Sequence, residues 1–156
     1  MPDHTMGDID RFLALRRIAM PGLSREARHF SRALAREFRA RGHEVIPVNP
    51  QTEEIDGVRC YGRVQAIEPK PEGALVITAA AQTLEVVQDC HTAGVNKIWL
   101  YRAGGQGALS EEAVQYAKAH GMHVIAGECP FMYLPNRAWF HSVHRGLRWI
   151  AGQLPK

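Results

Sequence analysis

Residues 18–50 read IAMPGLSREARHFSRALAREFRARGHEVIPVNP and contain the units of one strand-helix-strand motif. Gly22 follows the first apolar strand, where a sharp turn must lead into a helix. Gly42 ends the amphipathic helical pattern, and Pro50 closes a second apolar strand because it cannot donate to a sheet. The stretch therefore predicts a βαβ unit with parallel strands. The predicted elements are a strand at 16–20, a helix at 28–42 and a strand at 43–50.

The same alternation continues through the second half of the chain. ALVITAA is a continuous apolar run, which suits a strand that is buried on both faces. Because each return crossover between parallel strands is right-handed, successive helices lie against the faces of the sheet. We predict a three-layer, Rossmann-like α/β fold with a parallel sheet of about five strands and helices on both faces. The further elements are a strand at 74–80, a helix at 82–94, a strand at 96–105, a helix at 110–121 and a strand at 122–127.

Three segments lie outside this alternation. The first is a short lead-in helix at its start, for which Asp8 is the expected N-cap. The second is polar and rich in turn residues, and the third is an aromatic and basic helical extension in which a helix begins at Asn136. No linker or internal repeat divides the chain, so residues 1–156 are predicted to form a single domain. These segments are a helix at 8–15, a polar stretch at 51–73 with at most a strand at 58–61 and a helical turn at 64–67, and the extension at 130–156.

Composition limits the classes of function. The formal charge of +3 is only mildly basic, whereas proteins that bind nucleic acid usually show a denser stripe of Lys and Arg. No apolar run approaches the roughly 20 residues that a membrane-spanning helix needs. The chain has 3 cysteines without a CxxC pair, which suggests a reducing compartment. We therefore expect a cytoplasmic protein without nucleic-acid or membrane partners.

The loop after the first strand is the leading candidate for a ligand site. In an open parallel sheet, ligands lie beyond the carboxyl ends of the strands. Gly22, Ser24 and Ala27 match a degenerate form of G-x-G-x-x-G, and the start of the next helix attracts anions. Ser24 can offer its hydroxyl and its N–H to a phosphate, and Arg25, Arg28 and His29 add donors. The alternative is that Gly22 only makes a tight turn and that the serines only cap a helix.

The end of the second strand weighs against an NAD(P) site. Dinucleotide-binding proteins usually place an acidic residue there to hold the ribose hydroxyls. This chain has Asn49 and Pro50 instead, and Glu53 and Glu54 follow later, in a predicted loop.

Four motifs together carry a resemblance to a known family. They are IAMPGLS, RGHEVIPVNP, IDGVRCYGRVQAI and ALVITAAAQTLEVVQDCHTAGVNKIWLYRAG, and the resemblance covers roughly residues 8–129. The set resembles the small bacterial and archaeal CoA-binding proteins of the YccU type, and it is similar to the CoA-binding domain of succinyl-CoA and related acyl-CoA ligases. The resemblance implies a Rossmann-like domain that binds CoA or an acyl-CoA by its phosphates and adenosine. It implies a phosphate turn at Gly22, Leu23 and Ser24, an adenosine site flanked by Asn49 and Pro50, a cleft lined by Thr78 and Ala79, and a loop glycine at Gly104.

The residues do not indicate a reaction. His141 and His144 form an HxxH pair, but with Cys129 and His123 elsewhere they do not supply the three or four converging ligands that a metal needs. Cys129 has no identified base and is expected to be a buried structural thiol. The related ligases also require a phosphorylated histidine and an ATP-grasp partner from further domains.

Two other functions stay open. The first is a Rossmann-like scaffold that has lost its ligand and acts as an interaction protein, with the aromatic C-terminal extension forming a homo-oligomer. The second is an NAD(P)-binding regulatory module, against which Asn49 counts.

Overall fold

The structure is a computed structural model, and it describes residues 3–134. Its main sheet has five parallel strands in the order β2-β1-β5-β6-β7, and a separate two-stranded sheet pairs β3 with β4. The predicted Rossmann-like parallel sheet is thereby confirmed. The strands are β1 (Arg17–Pro21), β2 (Glu44–Val48), β3 (Glu54–Ile55), β4 (Val58–Arg59), β5 (Gly73–Val76), β6 (Lys97–Tyr101) and β7 (His123–Glu128).

Four α-helices cover the two faces of the sheet within the described residues. They are α1 (Met6–Leu13), α2 (Phe30–Ala40), α3 (Ala80–Thr92) and α4 (Glu111–Ala119), and 3₁₀ turns occupy Val64–Ala66 and Pro130–Met132. One core cluster joins α1 and α2 to the sheet through residues such as Phe12, Phe38 and Trp99. The other joins α3 and α4 to the opposite face through Val87, Ala113 and Leu100. The three-layer arrangement follows from these two cores.

The helix starts differ from the sequence-based expectations. Asp8 is not an N-cap: Thr5 caps α1, and Asp8 completes a capping box three residues later. The second helix begins at Phe30 after the cap His29, so the loop after β1 is longer than predicted. The apolar run after residue 73 is divided, because β5 ends at Val76 and the alanines that follow enter α3, as suits their high helix propensity.

The polar stretch contains a β-hairpin that was not predicted, although its second strand, β4, lies within the strand predicted at 58–61. Asp56 and Gly57 both have positive φ, at 55° and 73°, as the two central residues of a type I′ turn require. The Asp-Gly pair was the available signal. Glu54, expected in a loop, lies in β3. The predicted helical turn near residues 64–67 is present as a 3₁₀ turn.

The predicted helix from Asn136 and the rest of residues 135–156 lie outside the described residues.

Candidate functional site at the strand-order switch

The strand order reverses between β1 and β5, which are neighbours in the sheet although β2 separates them in sequence. At such a switch the loops after the two strands diverge and leave a crevice at the carboxyl edge. A cavity of about 620 Å³ lies there. It is lined by the ends of β1 and β2, the loop after β5, α3 and the segment after β4.

Four of the predicted site residues line this cavity and six do not. Gly22, Asn49, Pro50 and Thr78 are brought together from three loops. The residues that do not line it are Leu23, Ser24, Arg25, Arg28, Ala79 and Gly104.

Gly22 allows the loops after β1 and β5 to approach closely. Its φ is +92°, and a Cβ at this position would lie 2.6 Å from the backbone nitrogen of Thr78. Any other residue would therefore meet both an unfavourable backbone conformation and a clash with backbone atoms. The glycine therefore lets the loops after β1 and β5 meet at the cavity that both of them line.

The backbone N–H groups of the predicted phosphate turn are bonded within the protein. The N–H of Gly22 donates to the carbonyl oxygen of Val48 at 3.1 Å, and that of Leu23 donates to Met20 at 3.3 Å. The N–H of Ser24 donates to Oγ of Ser31 at 3.1 Å. Ser24 was predicted to offer its N–H and hydroxyl to a phosphate, but in the structure its Oγ accepts from the N–H of Glu26. The Leu23 side chain is fully buried in the core.

The start of α3 presents a better-placed set of donors. Ala79, the N-cap, makes no side-chain hydrogen bond to the helix, and the first turn contains no acidic residue. The N–H groups of Ala80 and Ala81 have no partner among residues 3–134. They lie next to Thr78 and Gln82, both of which line the cavity. The positive end of the α3 dipole therefore opens at the cavity.

Asn49 joins the loops after β1 and β2. Its Nδ2 donates to the carbonyl oxygen of Leu23 at 3.1 Å, and its Oδ1 accepts from the N–H of Gln51 at 2.9 Å. Arg25, in the longer loop, reaches the same region and donates to Oε1 of Gln51 at 3.3 Å. Arg28 is exposed and has no partner among the described residues.

Two arginines near the site were not identified from the sequence. Arg63 lines the cavity. Arg32, on α2, donates to the carbonyl oxygens of Arg25 and Ser24, at 2.9 and 3.4 Å, and to the carboxylate of Asp56. The available signal for Arg32 was its place on the apolar face of α2, three residues before Ala35.

Hydrogen bonding from Arg32 holds the pKa of Asp56 below its ordinary value, and the positive charges of Arg32 and Arg39 act in the same direction. The loop after β1 is thus anchored to an ionised carboxylate on the hairpin.

Gly104, the last of the predicted site residues, lies beyond the end of β6. Gly104 lies in an exposed loop after β6 and does not contact the cavity. Phe30 is 42% exposed and stacks on Tyr101 with ring centroids 5.0 Å apart. Burial, followed by the neighbouring Cys129, raises the pKa of Tyr101. Cys129 is buried, as expected for a structural thiol.

A metal centre is not indicated by the described part of the chain. Within residues 3–134 no three His, Cys, Asp or Glu side chains converge as ligands. His141 and His144 lie outside that range.

Comparison with known proteins places the chain in a family. The model of a CoA binding domain matches residues 16–135. The chain belongs to the CoA binding domain family. This confirms the resemblance drawn from the sequence motifs.

Curated relatives of this family member include a ligase subunit and a small protein. Over 128 residues the chain is 27% identical to the ADP-forming acetate–CoA ligase II subunit alpha of Pyrococcus furiosus, and the match covers 78% of the chain and 28% of the subunit. It is 29% identical over 114 residues to the uncharacterized protein YneT of Bacillus subtilis, covering 73% of the chain and 82% of YneT. The chain thus spans less than a third of the ligase subunit and most of YneT.

A solved structure of similar size supports the fold. A hypothetical protein from Pyrococcus horikoshii OT3 superposes with a TM-score of 0.75 at 26% identity, covering 82% of the chain and 88% of that protein. No helix among residues 3–134 has the length and apolar character to cross a membrane.

Proposed function

We propose that this protein binds CoA or an acyl-CoA at the strand-order switch and catalyses no reaction of its own. The observation that carries the proposal is the cavity between the loops after β1, β2 and β5, which faces the uncapped start of α3 in a member of a CoA binding domain family. The cavity volume of about 620 Å³ is within the range of small-molecule sites.

The pyrophosphate is assigned to the start of α3. The N–H groups of Ala80 and Ala81, which have no partner among residues 3–134, and the helix dipole both favour an anion there. Gly22 supports this position because the missing Cβ lets the turn after β1 lie directly against the backbone of Thr78. In this proposal the turn of Gly22, Leu23 and Ser24 shapes the phosphate site, and its own N–H groups are not the principal donors.

The adenosine is assigned to the side of the cavity formed by Val48, Asn49 and Pro50, which follow β2. The exposed Arg25 and Arg28 lie in the loop above and would attract the anionic ligand. Ala79 is the N-cap of α3 and makes no side-chain hydrogen bond to the helix. Gly104 lies in the exposed loop after β6, outside this cavity, and has no role in the proposed site.

Absence of catalysis is supported by the extent of the similarity. The match to the ligase subunit covers 28% of that subunit, so the similarity extends to only this part of the ligase. Incubation with acetyl-CoA should accordingly leave the thioester intact over hours, as followed by thiol release.

Gln82→Glu tests the phosphate position without a change of shape. Gln82 is the third residue of α3 and lines the cavity. A carboxylate in the first turn should stabilise the helix by about 0.5 kcal/mol but repel a bound pyrophosphate. We expect CoA affinity, measured by calorimetry, to fall by about tenfold or more while the protein becomes no less stable.

Gln106→Glu is the matched control, because Gln106 is exposed in the loop after β6 and does not line the cavity. Its CoA affinity should be that of the unmodified protein. Equal binding by both variants would refute the assignment at α3. A folded protein that binds no CoA at all would favour the ligand-free interaction scaffold.

A further inference from the structure

The wall of the cavity beyond β2 is a short segment that is anchored at both ends. At its start, Tyr61 pairs with the end of β2: its N–H donates to Pro47 at 3.1 Å, and its carbonyl oxygen accepts from Asn49 at 2.9 Å. At its end, the carboxylate of Asp89 on α3 accepts from the N–H groups of Val64 and Gln65, at 2.6 and 3.3 Å. The backbone between these anchors is therefore held in place on both sides of Arg63.

Among the described residues that line this cavity, Arg63 is the only one with a cationic side chain. Its guanidinium makes no hydrogen bond and no ion pair with residues 3–134. Two carboxylates also line the cavity, Glu85 and Asp89, but Asp89 is already engaged by backbone N–H groups. An unpaired guanidinium that borders a cavity, on a backbone fixed at both ends, is suited to binding an anion from the ligand.

Arg63 lies apart from the proposed pyrophosphate position. The N–H groups at the start of α3 are next to Thr78, whereas Arg63 follows the segment that pairs beside the end of β2, where the adenosine is assigned. CoA carries a phosphate monoester on the 3′-oxygen of that ribose, in addition to its pyrophosphate. The second phosphate would thus be on the side of the cavity where Arg63 stands.

We propose that Arg63 binds the 3′-phosphate of CoA and makes the site selective for a phosphorylated ribose. The proposal rests on the proposed function, because it needs CoA in this cavity. The 3′-phosphate is the part of the ligand that distinguishes CoA from adenine nucleotides without a ribose phosphate. A guanidinium favours this role because it can donate two parallel hydrogen bonds to a phosphate.

The experiment is a thermodynamic cycle between one side chain and one phosphate. CoA and 3′-dephospho-CoA are titrated by calorimetry into the unmodified protein, Arg63→Gln and Arg59→Gln. Arg59 is the matched control: it is two residues beyond the hairpin turn, stacks on the Tyr61 ring at 4.8 Å and does not line the cavity.

We expect the unmodified protein and Arg59→Gln to prefer CoA over 3′-dephospho-CoA by about tenfold or more. Arg63→Gln should weaken CoA binding by a similar factor and leave 3′-dephospho-CoA unchanged, so that its preference falls to about twofold or less.

Three results would overturn the proposal. If Arg63→Gln weakens both ligands equally, the arginine serves the pyrophosphate or the fold. If the unmodified protein binds both ligands equally, the 3′-phosphate is not recognised, although CoA binding at the site would stand. If a folded, unmodified protein binds neither ligand, the proposed function fails together with this assignment.

Discussion

Arg32 on α2 and Asp56 in the hairpin turn form a two-pronged ion pair, in which Nε of Arg32 donates to Oδ2 of Asp56 at 3.0 Å and Nη2 donates to Oδ1. The same guanidinium holds the carbonyl oxygen of Arg25 at 2.9 Å, so one side chain connects α2, the hairpin and the loop after β1. The side chain of Arg32 is 7% exposed, and that of Asp56 is 34% exposed. Removing the Arg32 side chain would take these hydrogen bonds away from the carbonyl oxygens of Ser24 and Arg25 and from the carboxylate of Asp56.

Replacement of Arg32 by Gln should destabilise the protein. The loss of charge-assisted hydrogen bonds from a buried arginine is expected to lower the free energy of unfolding by about 2–3 kcal/mol. Urea unfolding, followed by circular dichroism, measures this change in the free energy of unfolding. Arg28→Gln removes an exposed arginine with no partner in the described part of the chain and should stay within about 0.5 kcal/mol of the unmodified protein. Equal losses in both variants would show that the ion pair contributes nothing specific.

The contribution of Asp56 should depend on pH. Its pKa in the folded protein lies below its ordinary value, chiefly because Arg32 hydrogen-bonds to the carboxylate. The stabilisation is therefore fully present above the unfolded pKa of about 4 and is lost as the pH falls through the lower, folded pKa. We expect the difference in urea midpoint between the unmodified protein and Asp56→Asn to be constant from neutral pH down to about pH 5 and to shrink below about pH 4. A difference that persists at the lowest pH would argue against the ion pair as its source.

Gly22→Ala should be more harmful than the same change at another glycine of similar conformation. Gly22 and Gly42 have φ of +92° and +91°, but a Cβ at Gly42 would meet no atom within 4 Å. Gly42→Ala should therefore cost only the backbone strain, about 1–2 kcal/mol. Gly22→Ala adds the clash with the backbone of residues 77 and 78, and should lower the thermal midpoint further and abolish CoA binding. Similar midpoints for the two variants would mean that the loops after β1 and β5 are not in close contact.

The Cys90 thiol should resist alkylation in the folded protein. It is fully buried on the face of α3 that packs on the sheet, and burial raises its pKa to about 12. At pH 8 it is almost entirely protonated, whereas the thiolate is the reactive form. Mass spectrometry after iodoacetamide treatment should find Cys90 modified only when urea unfolds the protein, where all 3 cysteines should react. Rapid modification of Cys90 in the native protein would contradict the packing of α3 on the sheet.

The fold was largely predictable because its signals are local. Residues 18–50 contain two apolar strands and one amphipathic helix, and the repetition of this pattern indicated the parallel sheet, because the period of each element is visible within a few residues. The start of α2 was less predictable: His29 caps the helix by accepting a hydrogen bond at Nδ1 from the N–H of Ser31, and this contact does not show in the apolar pattern. The hairpin was missed although Asp56 and Gly57 gave a usable signal.

The site depended more on contacts between distant residues. Local pattern placed Gly22 and Asn49 at strand ends, and the family resemblance added Thr78; the shared carboxyl edge of a parallel sheet brings these residues together. Which donors are free could not be predicted locally, because the N–H of Gly22 is taken by Val48, 26 positions away, while those at the start of α3 have no partner in the described chain. Arg63 borders the cavity only because Asp89, on a helix that follows a whole strand later, fixes the adjoining backbone. The hydrophobic period that determines each strand and helix is a local property of the sequence. The hydrogen bonds and ion pairs that determine which groups stay available to a ligand form only where distant segments meet in the tertiary structure.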